Sequence, residues 1–167
     1  MGTVVSITDK VQARVDAEQA SAPKKSGGGG GEITRSFILD CLDANELGDG
    51  KLYAAIHKDQ FVYVKSSAQW LAWKGHSWSM DEMDHARAAV ESVALKYLEE
   101  AGRVSAGILD LRREDEPNKS KIARQEALKK QLQRRASKLR SEAGRTNCLG
   151  FAHTCDEPLA VSGKDLD

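Results

Sequence analysis

The chain has 167 residues, 40% of them hydrophobic, and its 25 basic and 25 acidic side chains leave no formal net charge at pH 7. That length suits one domain with a real core, and the overall charge selects no partner. No stretch nears the roughly 20 apolar residues of a membrane span, and MGTVVSITDK lacks the apolar core of a secretory signal. Cys41, Cys148 and Cys155 are odd in number and lack framework spacing, which points to a reducing setting. A cytoplasmic protein with no membrane partner is expected.

Residues 1–32 separate by composition. The segment DKVQARVDAEQASAPKKSGGGGG has few large apolar groups and ends in glycines at residues 27–31, a composition that gives flexible coil. A disordered N-terminal arm or linker over 1–32 and a folded domain over 33–167 are expected. From Ile33 a helical period sets in, with Phe37, Ile38, Cys41 and Leu42 on the same face. NELGDG then reads as an interruption, with Asp49 capping a short second helix that carries Leu52, Tyr53 and Ile56.

FVYVK is a run of aromatic and β-branched residues, SSA a turn, QWLAW an alternating strand, KG a second turn and HSW the start of a third strand. Together they predict a three-stranded antiparallel meander that needs helices packed on it. Ser79 with Glu82 has the form of a capping box. Ala86, Val90, Val93, Tyr97 and Ala101 then recur at helical spacing up to Gly102, a helix stop. DLRREDEPNKS reads as a loop. A long basic helix over residues 119–142 follows, with Ile122, Leu128, Leu132 and Leu139 as its apolar stripe and Gly144 as its end. The tail reads as loop with a short helix. The predicted fold is α+β, predominantly helical, with one small three-stranded antiparallel sheet.

All three tryptophans fall in QWLAWKGHSW. Trp70 and Trp73 differ by three, so a regular strand turns them to opposite faces. Aromatics on a small sheet can stack unpaired bases, but they are also what such a sheet needs to build a core, and packing is the commoner use. The basic helix is the clearest functional feature. Ten basic residues between positions 119 and 145, against Glu126 and Glu142, leave it a net charge of +8 in a neutral protein. A stripe of this kind attracts a phosphate backbone. It also fits a solvated face, or one paired with the acidic Glu114, Asp115 and Glu116. Lys129, Lys130, Arg134, Arg135, Lys138 and Arg140 are the candidate nucleic-acid contacts. Cys148, His153 and Cys155 cluster without a CxxC pair, so buried cysteines are expected rather than zinc. Asp40 and Asp43 share a helix turn, where plain solvation suffices as an explanation. No phosphate-binding loop and no nucleophile elbow is present.

The order of elements through NELGDGKLYAAIHKDQFVYVKSSAQWLAWKGHSWSMDE resembles the region preceding the motor in phage- and plasmid-type and poxvirus-type primase-helicases. The matching residues are Gly48, Asp49, His57, Phe61, Tyr63, Trp70, Trp73, Gly75 and Trp78, followed by SKLRSEAGRTNCLGFAHTCDEPLAVSGKDLD. The resemblance covers residues 33–167 and implies that the tryptophan hairpin is a structural signature of a DNA-replication module. It further implies DNA, a helicase ATPase domain and further copies of the chain as partners. Family members continue into a superfamily-three ATPase. This sequence reaches Asp167 without its nucleotide-binding loops and lacks the upstream primase motifs, so helicase activity is implied for a longer parent, and no catalytic residue and no cofactor is expected here. The rival reading is a protein–protein interaction module, docking a partner or a second copy through Leu128, Leu132 and Leu139.

Overall fold

A computed structural model describes residues 32–162. The arm expected over residues 1–32 therefore lies, except for Glu32, outside the described residues, as do residues 163–167. The first helix, α1 (Arg35–Asp43), opens where the Thr34 hydroxyl accepts a hydrogen bond from the Phe37 N–H at 3.2 Å. It buries Ile38, Cys41 and Leu42. After Ala44 the chain turns straight into α2 (Asn45–His57), so NELGDG is helical and not an interruption. Its glycines serve close approach. A Cβ on Gly48 would lie 1.7 Å from the Cys41 carbonyl oxygen, and one on Gly50 would lie 2.4 Å from Phe151 Cβ. Asp49 does not cap a helix. It sits between these glycines, 3% exposed.

The meander forms, with its third strand starting at Trp78 rather than His76: β1 (Phe61–Val64), β2 (Gln69–Trp73) and β3 (Trp78–Met80) pair antiparallel, with Tyr63 opposite Trp70 and Trp73 opposite Trp78. Its turns use positive φ at Ala68 (53°) and Gly75 (89°), the second a conformation glycine adopts without strain. A fourth strand, β4 (Ala160–Val161), pairs parallel to β1, so the sheet order is β3-β2-β1-β4 rather than a three-stranded meander. Two residues carry no periodic signal. The strand is held by Tyr63 N–H donating to the Leu159 carbonyl at 2.8 Å and Lys65 N–H to that of Val161 at 3.1 Å.

One face of the sheet packs on the helices, and the side chains of the other cluster among themselves. Phe61, Trp70 and Ala72 join the helical core, where the Trp70 ring lies 5.3 Å from Tyr63 and 6.2 Å from Tyr53. Val62, Val64, Leu71, Trp78 and Val161 form a second cluster, with Trp73 against it and its ring 5.4 Å from Trp78. The tryptophans are a packing device.

Four helices follow: α3 (His85–Ala88), α4 (Glu91–Arg112), α5 (Lys119–Leu139) and α6 (Glu142–Ala152). Ser79 caps none of them, because it is held in β3 opposite Ala72. The cap is Asp81, whose carboxylate accepts from His85 N–H at 2.9 Å and Ala86 N–H at 2.7 Å. Gly102 stops nothing. Its cost in a helix interior, about 1 kcal/mol, is outweighed by burial of Val104, Ile108 and Leu111 beyond it. Gly144 likewise lies inside α6, where its N–H bonds to the Ser141 cap at 3.0 Å. Contacts of Glu91 with Arg140, Ser105 with Lys129 and Arg112 with Glu126 show α4 and α5 running antiparallel.

His57 closes α2, almost fully buried. Its Nδ1 lies 2.7 Å from Gln60 Oε1 and its Nε2 2.7 Å from Ser92 Oγ. Burial holds its pKa below the ordinary histidine value. The unfolded chain therefore takes up a proton first as pH falls through about 6.5, and the folded state loses stability by up to ~1.4 kcal/mol per pH unit. His153 is shifted the same way, chiefly by burial. Urea midpoints measured from pH 7.5 to 5.5 should fall with acidity, and His57→Gln should flatten the fall. An equally steep fall in the variant would remove His57 as its source.

Candidate nucleic-acid interface

Helix α5 begins where the Asn118 side chain accepts from the Lys121 N–H at 2.9 Å. It buries Leu132, Arg135, Ala136 and Leu139. That fixes its rotation and turns Lys130, Arg134 and Lys138 outward, all exposed. Four-residue steps at 1.5 Å per residue set them about 6 Å apart along the helix. Among the described residues, no carboxylate pairs with Lys130 or Arg134. Nor does an ion pair join Glu114, Asp115 or Glu116 to α5.

The other expected contacts are engaged. Lys138 Nζ lies 3.0 Å from Glu46 Oε1, and this contact heads the causes that hold the Glu46 carboxyl below its usual range. Arg140 grips Glu91 through Nη2 at 2.6 Å and Nε at 3.1 Å. Lys129, half-buried, donates to Ser105 Oγ at 3.1 Å. These three tie α5 to its neighbours through exposed or half-exposed groups.

Arg135 leaves the candidate set. It is 9% exposed and reaches inward, its Nε 3.0 Å from Asp49 Oδ2, while the Tyr97 hydroxyl donates to Asp49 Oδ1 at 3.0 Å. Position 135 falls on the same side of the helix as Leu132 and Leu139, so the helical period itself takes it away from solvent. The same period puts Arg134 on the far side of the helix, in solvent. Arg124, outside the first six candidates, is exposed near the start of the same helix, on the side that Lys138 shares, and extends its basic surface.

The rival docking stripe is already used. Leu132 and Leu139 are 0% and 2% exposed, and Leu128 packs on the core. Cys148 points at the Asp49 carbonyl, Cys155 at that of Ala152, and His153 stacks on Tyr63 at 3.9 Å. Among the described residues no group of three or more His, Cys, Asp or Glu is placed to hold a metal ion. No helix among them is long and apolar enough to cross a membrane. A cavity lined by Phe37, Lys51, Ala54, Lys58, Cys155 and Leu159 has Lys51 bound to Asp156 at 2.9 Å. Burial pushes the Cys155 thiol pKa up, so this group is a poor nucleophile.

A family model described as D5 N terminal like matches residues 50–167, a span that takes in most of α2, the whole sheet and the helices from α3 onward. No curated protein and no solved structure matches the chain. On that match, over a fold whose tryptophan hairpin and basic helix stand as described, the chain belongs to the D5 N-terminal-like family, the pre-helicase domain of primase-helicases.

Proposed function

We propose that this replication-associated module contacts DNA through the exposed face of α5, with Arg124, Lys130 and Arg134 on phosphates, and so positions DNA for a helicase ATPase domain in the same or another chain. One observation carries the reading. Lys130 and Arg134 project to solvent with no carboxylate partner among the described residues, although acidic side chains are as numerous as basic ones in the chain. Phosphate contacts carry affinity and salt dependence rather than sequence choice.

The test is fluorescence anisotropy of a labelled oligonucleotide, single-stranded and duplex, titrated across salt concentration. Reversing Arg124, Lys130 and Arg134 to Glu should flatten the slope of log affinity against log salt by roughly 0.7–0.9 per lost contact. Reversal of Lys58 and Lys74, on other elements, should leave it nearly unchanged. A slope that ignores the α5 reversals would remove DNA from this face.

A further inference from the structure

The outward face of α4 has no role in the fold. Leu95 and Leu109 on it are 54% and 53% exposed, more than any other leucine among the described residues. Midway between them, two helical turns from each, Gly102 faces open space, with nothing within 4 Å of where a Cβ would stand. Glycine is a poor choice inside an exposed helix, and nothing in the single chain approaches the gap it leaves.

We propose that this face pairs with the same face of a second copy. The two α4 helices run antiparallel about a two-fold axis at Gly102, so that Leu95 of each meets Leu109 of the other. The charges beside the leucines fit that arrangement. Lys96, Glu99, Arg103 and Asp110 form a row of alternating sign along one side of the face. A two-fold at Gly102 lays the row against its own reverse. Lys96 then faces Asp110 of the second copy and Glu99 faces Arg103, four opposite-sign contacts in all; the two Arg103 side chains, one residue from the axis, meet beside them, each countered by Glu99 of the other copy, in the self-complementary pattern of an isologous interface. Sliding the helices by one turn would lose both the leucine contacts and the charge match. In the single chain Lys96 pairs with Glu99 at 3.4 Å, Arg103 with Glu99 at 2.6 Å and Asp110 with Arg113 at 3.6 Å, exposed pairs that re-form across the axis at little cost, while Arg103 Nη1 stays 3.5 Å from the buried Glu100 Oε2. Helix α4 has 22 residues, about 33 Å of contact. One helix pair of that length sits at the low end of specific interfaces, so association in the micromolar range is expected. The surface is separate from Lys130 and Arg134 on α5, so the proposal does not depend on DNA binding.

Sedimentation velocity on the full chain from about 1 to 200 μM tests it, a range chosen for interfaces at the small end. The weight-average mass should rise from 18.2 kDa toward that of a dimer. Leu95→Glu with Leu109→Glu should weaken association at least about tenfold, since anchors at the centre of an interface dominate its energy. Lys96→Glu should also weaken it, and adding Asp110→Lys should restore it, a rescue that a purely structural role would not give. Gly102→Cys, at the axis, should form a disulfide-linked dimer on oxidation. Gly107→Cys, turned about 140° around the helix, should not. A chain that stays at 18.2 kDa throughout and does not cross-link through Gly102→Cys would overturn the proposal. So would a dimer indifferent to the leucine and charge variants.

Discussion

Replacing Arg135 with alanine should cost the fold about 3–5 kcal/mol, the usual penalty when one partner of a buried ion pair is removed. Asp49 would then be a carboxylate 3% exposed with only the Tyr97 hydroxyl beside it. Burial already pushes the Asp49 pKa up, against the pull of Arg135 and Tyr97, so the pair is a costly arrangement even when intact. Joint replacement, Asp49→Leu with Arg135→Met, should recover most of the loss, because apolar side chains of similar volume need no counter-charge. Arg134→Ala, one residue away and exposed, should move stability by less than ~0.5 kcal/mol while weakening DNA binding. Urea denaturation and anisotropy on the same variants separate the two roles. Equal stability losses at Arg134 and Arg135 would refute the division of the basic helix into a structural and a solvent-facing side.

Gly48→Ala and Gly102→Ala should shift stability in opposite directions. Both lie inside helices, where alanine is favoured by about 1 kcal/mol. At Gly102 that gain is free, since the space around the position is empty, and the dilute chain should become more stable by ~0.4–1 kcal/mol. At Gly48 the new methyl would stand 1.7 Å from the Cys41 carbonyl oxygen. Backbone cannot yield as a side-chain tip can, so α1 and α2 would be forced apart, at a cost of about 3 kcal/mol or more. Thermal melts at low micromolar concentration would show it. A Gly48→Ala protein as stable as the parent would mean that the α1–α2 contact is not tight.

What the sequence disclosed follows the range of the forces involved. Local patterns were legible: the FVYV and QWLAW strands, the start of the basic helix at Lys119, and the inward stripe of Leu132 and Leu139. Glycine was the main source of error. Gly48, Gly102 and Gly144 all read as punctuation and all lie inside helices. Whether a helical glycine marks a break or a close approach depends on what packs against it, and that neighbour is distant in sequence. The capping box at Ser79 failed for a similar reason, because the strand ladder claimed that residue and left the cap to Asp81. Of the six basic residues proposed as contacts, the helical period alone could have set Arg135 apart. The stripe of Leu132 and Leu139 passes directly through its side of the helix.

The bond between Asp49 and Arg135 joins residues 86 positions apart, and β1 is completed only by β4 from the far end of the described chain. At a synthesis rate of ~5–20 residues per second, α2 waits roughly 4–17 seconds for the arginine that neutralises it. During that interval Asp49 has no counter-charge and the outer edge of β1, with its valines, has no neighbour. Native contacts of such long range also fold slowly. The first half of this protein is therefore the part most exposed to mispairing or to capture by chaperones while it is being made. Changes that slow completion of the chain should lower its yield without altering the stability of the finished fold.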